Sequence, residues 1–169
     1  MIPDKVRAVL TAHGLTVLEF EPGSTPTAEL AAARIARVRP GVLPAHIAKS
    51  LLFRKKGGGY CMVVCPGDRR IPSSALKRVI GAKATMAGPE ETERETGFKP
   101  GGVCPFGVDS VEIYLDRALA QYATIYPAAG TDATGVPMTL DTLARITGGH
   151  IVDFDQDGDA DAPRSLERR

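Results

Sequence analysis

Apolar and polar positions along this chain recur at two different spacings, and the switches between them mark out its elements. Over residues 3–13, Val6, Val9 and Leu10 fall at helical spacing, and Gly14 ends the pattern. Leu15 to Phe20 reads as a strand, followed by a turn marked by Pro22, Gly23 and Pro26. Thr27 stands where a helix N-cap belongs, ahead of Glu29 and the Ala-rich stretch 28–37. His46 to Phe53 reads as a strand, Lys55 to Gly59 as a hairpin turn, and Tyr60 to Pro66 as a nearly wholly apolar strand buried on both faces. Helices are predicted over Ser73–Ile80, Pro89–Thr96 and Leu140–Thr147, and short strands over 82–87, 111–115, 123–126 and 151–154. Two loops separate these elements, Pro100–Gly107 and Gly130–Thr139. Strands and helices mix without a βαβ rhythm. The expected fold is therefore α+β, a single domain over residues 1–154 with one curved mixed sheet flanked by helices. Residues 155–169 are polar and read as a mobile tail.

Composition narrows the function classes. The chain has 169 residues, enough for one domain with a real core, and its 21 basic and 20 acidic residues give a net charge of +1. Global charge thus does not advertise a nucleic-acid binder, and any RNA contact must be a local patch. No apolar run approaches the roughly 18 residues of a membrane span, and the N-terminus reads as an amphipathic helix rather than a signal peptide, so a cytoplasmic protein is expected. Three cysteines, an odd number, argue against a disulfide framework.

Two features could carry chemistry. In the run Ile47 to Phe53, strand alternation puts Lys49 on one face with Ile47, Leu51 and Phe53. An unpaired buried ammonium is costly, so Lys49 either snorkels at the strand's edge or projects into a cleft toward an anion. The loop Lys99 to Gly107 carries glycines that permit close backbone approach and prolines that stiffen it. It is either a sharp surface turn or a rigid set of N–H groups suited to a carbonyl oxygen or oxyanion.

The segments HIAKSLLF, YCMVVCPGDRRI, TGFKPGGVCPFG and YPAAGTDATGVPMTLDTLARITGGHIVDF, in that order, resemble the YbaK and prolyl-tRNA synthetase editing-domain family over roughly residues 15–154. The most specific elements are Lys49 in its K-S/T-L run and the Gly101-x-x-x-Pro105 loop. The resemblance implies hydrolysis of the ester joining a wrong amino acid to a tRNA 3′ end, mischarged tRNA-Pro or a related tRNA, without metal, cofactor or protein nucleophile. It implies that the backbone of Gly101, Gly102, Val103, Cys104 and Pro105 holds the substrate carbonyl, that Lys49 contacts the terminal adenosine or its phosphate, and that Ser50, Phe106, Gly130, Thr131 and Asp132 line the pocket. Mischarged aminoacyl-tRNA is the implied partner, with an aminoacyl-tRNA synthetase as a further one. The chain departs from the family at 131–135, Thr-Asp-Ala-Thr-Gly in place of a basic turn, and at Cys104, where relatives often carry serine. A non-catalytic protein that binds a tRNA end, nucleotide or partner in the same cleft is the alternative.

Other motifs recede on inspection. Cys104 as a nucleophile lacks a base among His13, His46 and His150. Cys61 and Cys65 lack a second ligand pair for zinc and read as buried thiols. Asp153 to Gly158 imitates an EF-hand loop but has Arg164 where the bidentate Glu belongs. Lys55, Lys56, Arg69, Arg70, Lys77, Arg78 and Lys83 are either a solvated face or an acceptor-stem contact.

Overall fold

The computed structural model describes residues 1–155. The tail expected over 155–169 and the EF-hand-like Asp153–Gly158 run therefore fall outside the described residues from position 156 onward. In chain order the elements are α1 (Asp4–Ala12), β1 (Leu18–Glu19), α2 (Ala28–Ala36), β2 (Ala48–Lys55), β3 (Tyr60–Pro66), α3 (Ser73–Ile80), β4 (Ala84–Met86), α4 (Pro89–Thr96), β5 (Glu112–Asp116), β6 (Thr134–Gly135), α5 (Leu140–Thr147) and β7 (His150–Val152). Five strands form one mixed sheet in the order β4-β2-β3-β5-β7, antiparallel on the β4 side and parallel on the β7 side. Strands β1 and β6 pair separately.

Local chemistry explains the boundaries. Thr27 caps α2, its hydroxyl oxygen accepting the Leu30 N–H at 3.2 Å. Pro89 opens α4, and Gly97 closes it at φ +84°, a conformation that favours glycine. Three expected strands come out differently, and the one expected over Leu15–Phe20 is reduced to Leu18–Glu19 outside the main sheet. His46 belongs to a 3-10 turn, Pro44–His46, because its Nδ1 accepts the Leu43 N–H at 2.8 Å, so β2 starts later, at Ala48. The 123–126 segment makes only two single bridges, Ile47 with Tyr126 and Ile125 with Met138, rather than a strand.

The sheet divides the core. On one face Phe53, Cys61, Val63 and Cys65 pack under Ala75 and Leu76 of α3. On the other, Ala48, Met62 and Val64 pack under Val6 and Leu10 of α1 and Leu143 of α5, together with Phe98, Cys104 and Phe106. A third cluster, Ala31, Ala32 and Ile35 of α2 with Ile47 and Tyr126, sits beside the start of β2. Strand β3 is buried at every position but Tyr60, as a central strand with helices on both faces must be. Among the described residues no helix is long and apolar enough to cross a membrane.

Candidate functional site

A cavity of about 410 Å³ opens between α2, the first half of β2, the Ala87–Pro89 turn and the Pro100–Val103 stretch, within the size range of small-molecule sites. Most of its wall is apolar, with Ala31, Ile35, Ile47, Leu52, Tyr126 and Ala128 contributing.

Of the residues expected at a site, Lys49, Ser50, Gly101 and Val103 line this cavity. Lys49 is half-buried on β2 directly opposite Cys65. Alternation puts its side chain on the Leu51–Phe53 face, while Ile47 lies before the strand and packs with α2. Among the described residues Lys49 forms no salt bridge. Ser50 is buried, and its Oγ has no protein partner; the same holds for Thr25 Oγ1, and Thr25 also lines the cavity.

The remaining expected residues build the wall rather than face the cavity. Gly102 touches the backbone of the neighbouring loop so closely that a Cβ there would lie 2.7 Å from both the Gly130 carbonyl carbon and the Thr131 nitrogen. Its own N–H donates to the Lys99 carbonyl at 3.0 Å. Gly101 has φ +90°, and a Cβ on it would come within 3.1 Å of Pro26 Cα and Asp132 Cβ. Asp132 ties the 23–25 turn to this wall, Oδ1 accepting the Gly23 N–H at 3.0 Å and its carbonyl the Thr25 N–H at 2.7 Å. Thr131 Oγ1 accepts the Ala133 N–H at 3.2 Å, and Thr134 Oγ1 accepts the Ala129 N–H at 2.9 Å, so these hydroxyls hold the Gly130 loop in shape. Pro105 and Phe106 are buried beside Cys104.

Cys104 is fully buried, and burial pushes its thiol up to about 12, although the Phe106 and Gly130 backbone amides face its sulfur and pull the other way. A thiol held that far from ionisation is no nucleophile at neutral pH. Its packing instead joins the two loops. Burial likewise raises the Cys61 thiol to about 11 and the Cys65 thiol to about 12, the latter opposed by the Lys49 ammonium. Among the described residues no cluster of three or more His, Cys, Asp or Glu side chains is gathered as metal ligands.

The basic stretch is partly committed elsewhere. Arg69 pairs with the buried Asp116 at 2.9 Å and with Asp155 at 2.7 Å, and Arg78 donates to the Asp153 and Phe154 carbonyls at 3.3 Å each. Arg69 thus fastens the end of the described chain to the end of β5, and Arg78 fastens it to α3. Burial raises the Asp116 carboxyl above its ordinary value, with the Ala118 N–H and Arg69 opposing the shift.

Sequence reasoning missed Thr25, Ile47, Pro89, Tyr126 and Ala128 in the cavity wall. Only Pro89 carried a local signal, and that signal was for a helix start.

Comparison with known proteins identifies the family and the fold. The aminoacyl-tRNA editing domain family matches residues 21–146. An uncharacterised protein of Bacillus subtilis, YwhH, is 38% identical over 132 residues, 78% of this chain and 80% of its own length. The proline–tRNA ligase of Thermosipho melanesiensis is 35% identical over 80 residues, 47% of this chain but only 14% of the ligase. A solved structure described as that of a candidate trans-editing enzyme for prolyl tRNA synthetase superposes with a TM-score of 0.77 at 31% identity, covering 90% of this chain and 98% of its own. The chain belongs to the aminoacyl-tRNA editing domain family.

Proposed function

We propose that this protein is a free-standing aminoacyl-tRNA deacylase that hydrolyses the ester of mischarged tRNA, with mischarged tRNA-Pro as the foremost candidate. The observation that carries the reading is that Lys49 and the loop residues Gly101 and Val103, far apart in sequence, line one cavity in a chain of the editing family. The likeness to a candidate trans-editing enzyme for prolyl tRNA synthetase supports the choice of tRNA and of a synthetase as partner.

In this reading the ester carbonyl lies against the loop, and the backbone amides of Gly101 and Val103 receive the negative charge that develops on its oxygen. The Gly102 amide is already bound to Lys99 and does not take part. Each such donor contributes roughly 3–4 kcal/mol by mutational analogy. Water attacks the carbonyl carbon, the bond to the ribose oxygen breaks, and that oxygen leaves with a proton taken from the water. The Lys49 ammonium stabilises charge near the leaving ribose and holds the RNA end. An aminoacyl ester is already activated, so placement and charge stabilisation are sufficient help. Such a reaction belongs in the cytoplasm, where charged tRNA is made.

A deacylation assay with tRNA-Pro charged with alanine, cysteine, serine or threonine tests the proposal. Hydrolysis of at least one species well above the uncatalysed rate is expected. Tight binding of charged tRNA with no cleavage of any species would select the non-catalytic alternative.

A further inference from the structure

The edge of β2 that faces the cavity is left unpaired at one place, and the register shows why. The even-numbered residues of β2 turn their N–H and C=O groups away from β3. Lys56 donates to the Lys83 carbonyl at 2.8 Å, Ala87 donates to the Leu52 carbonyl at 2.9 Å, and Arg54 stands opposite Thr85. Continued by one more pair, this ladder would set Ser50 against residue 89. That residue is Pro89, which has no N–H and already turns into α4.

From the other end, β2 is met in parallel by Tyr126. Ala48 donates to the Tyr126 carbonyl at 3.1 Å, and Tyr126 donates to the His46 carbonyl at 2.9 Å. Pro127 then carries the chain away, its carbonyl accepting from Val136 at 2.8 Å. Between these two diverging segments the Ala48 C=O and the Ser50 N–H and C=O have no backbone partner among the described residues. Ala48, Ser50, Pro89 and Ala128 all line the cavity. Buried backbone polar groups are almost always paired, so an interrupted ladder inside an otherwise apolar cavity points to a ligand that completes it.

We infer that this gap reads the terminal adenine of the tRNA, its N6 amine donating to the Ala48 C=O and its N1 accepting from the Ser50 N–H. The inference rests on the deacylase reading and names a subsite within it. On the deacylase reading, neither polar group common to every aminoacyl ester completes the gap: the α-ammonium only donates, and the carbonyl lies against the Gly101 side. Adenine presents a donor and an acceptor side by side, as a neighbouring strand would. The terminal adenosine is also the nucleoside that carries the ester, so it must share a cavity with it. Recognition through backbone leaves no side-chain signature, which is why the sequence is silent on it.

Binding of a non-hydrolysable probe, 3′-alanylamino-3′-deoxyadenosine, separates this inference from the activity. Calorimetric affinity is compared among the adenine probe, the probe lacking the N6 amine, the 1-deaza probe and the 7-deaza probe. Loss of N6 or of N1 is expected to weaken binding about tenfold each, the worth of one hydrogen bond, whereas the 7-deaza probe binds within about twofold of the parent. Equal binding of all four, or no binding of the adenine probe, overturns the inference. The deacylation panel judges the activity independently, since it can succeed with any mode of base binding.

Discussion

The two halves of β2 share a backbone and differ in what surrounds it. At Phe53 and Arg54 the strand is paired on both sides, by β3 and β4. From Ala48 to Ser50 it is paired continuously only with β3, and its other edge opens on the cavity. The candidate site therefore arises from withholding a partner strand as much as from supplying special side chains. A proline in the position where pairing would continue is enough to do this.

Hydrogen exchange sets the halves against each other most sharply. The Ser50 amide should exchange at least about 1,000-fold faster than the Leu51 and Phe53 amides, which are bonded into the β2–β3 ladder; equal protection would mean that the open edge is closed in solution. Activity provides the next contrast. Lys49→Ala, in the open half, should lower kcat/KM in the deacylation assay about 100-fold with little change in melting temperature. Arg54→Ala, in the paired half, loses only a half-exposed pair with Glu91 at 2.7 Å and should stay within about twofold. Comparable losses in both variants would remove the distinction. Gly102→Ala tests the wall facing the open edge: backbone atoms stand in the way of its Cβ, so a loss of about 2 kcal/mol in denaturant stability is expected together with loss of activity. The smallest effect belongs to Thr25→Val. It replaces a buried hydroxyl without a protein partner by a methyl group of the same shape, so stability should rise by about 1 kcal/mol in urea unfolding. A drop in stability would show that the hydroxyl is satisfied.

Much of the fold was legible because its signals are local. Helices α3, α4 and α5 run as their spacing, prolines and glycines predict, and the apolar run of β3 is the buried centre of the sheet. Lys49 and the Gly101 loop were legible as candidates through family likeness, and both reach the cavity. Other parts depend on contacts that no window of sequence contains. Gly102 is small because the Gly130 loop lies against it, and Asp132 is polar because the 23–25 turn needs an acceptor. His46 falls outside β2 because a ring nitrogen caps its own turn. The opening beside Ser50 depends on a register between residues almost forty positions apart, and Pro89 announces only a helix start when read alone.

An unpaired strand edge is ordinarily a hazard, since a second chain can add itself there and begin an aggregate. In this protein the bare stretch runs only from the Ala48 C=O to the Ser50 C=O, in a cavity also lined by Pro89, Ala128 and residues of α2. A β-strand needs several consecutive residues to dock, and its backbone cannot bend into so short a notch. The width of the gap thus acts as a sieve, shutting out polypeptide and leaving these backbone groups to something the size of a single base.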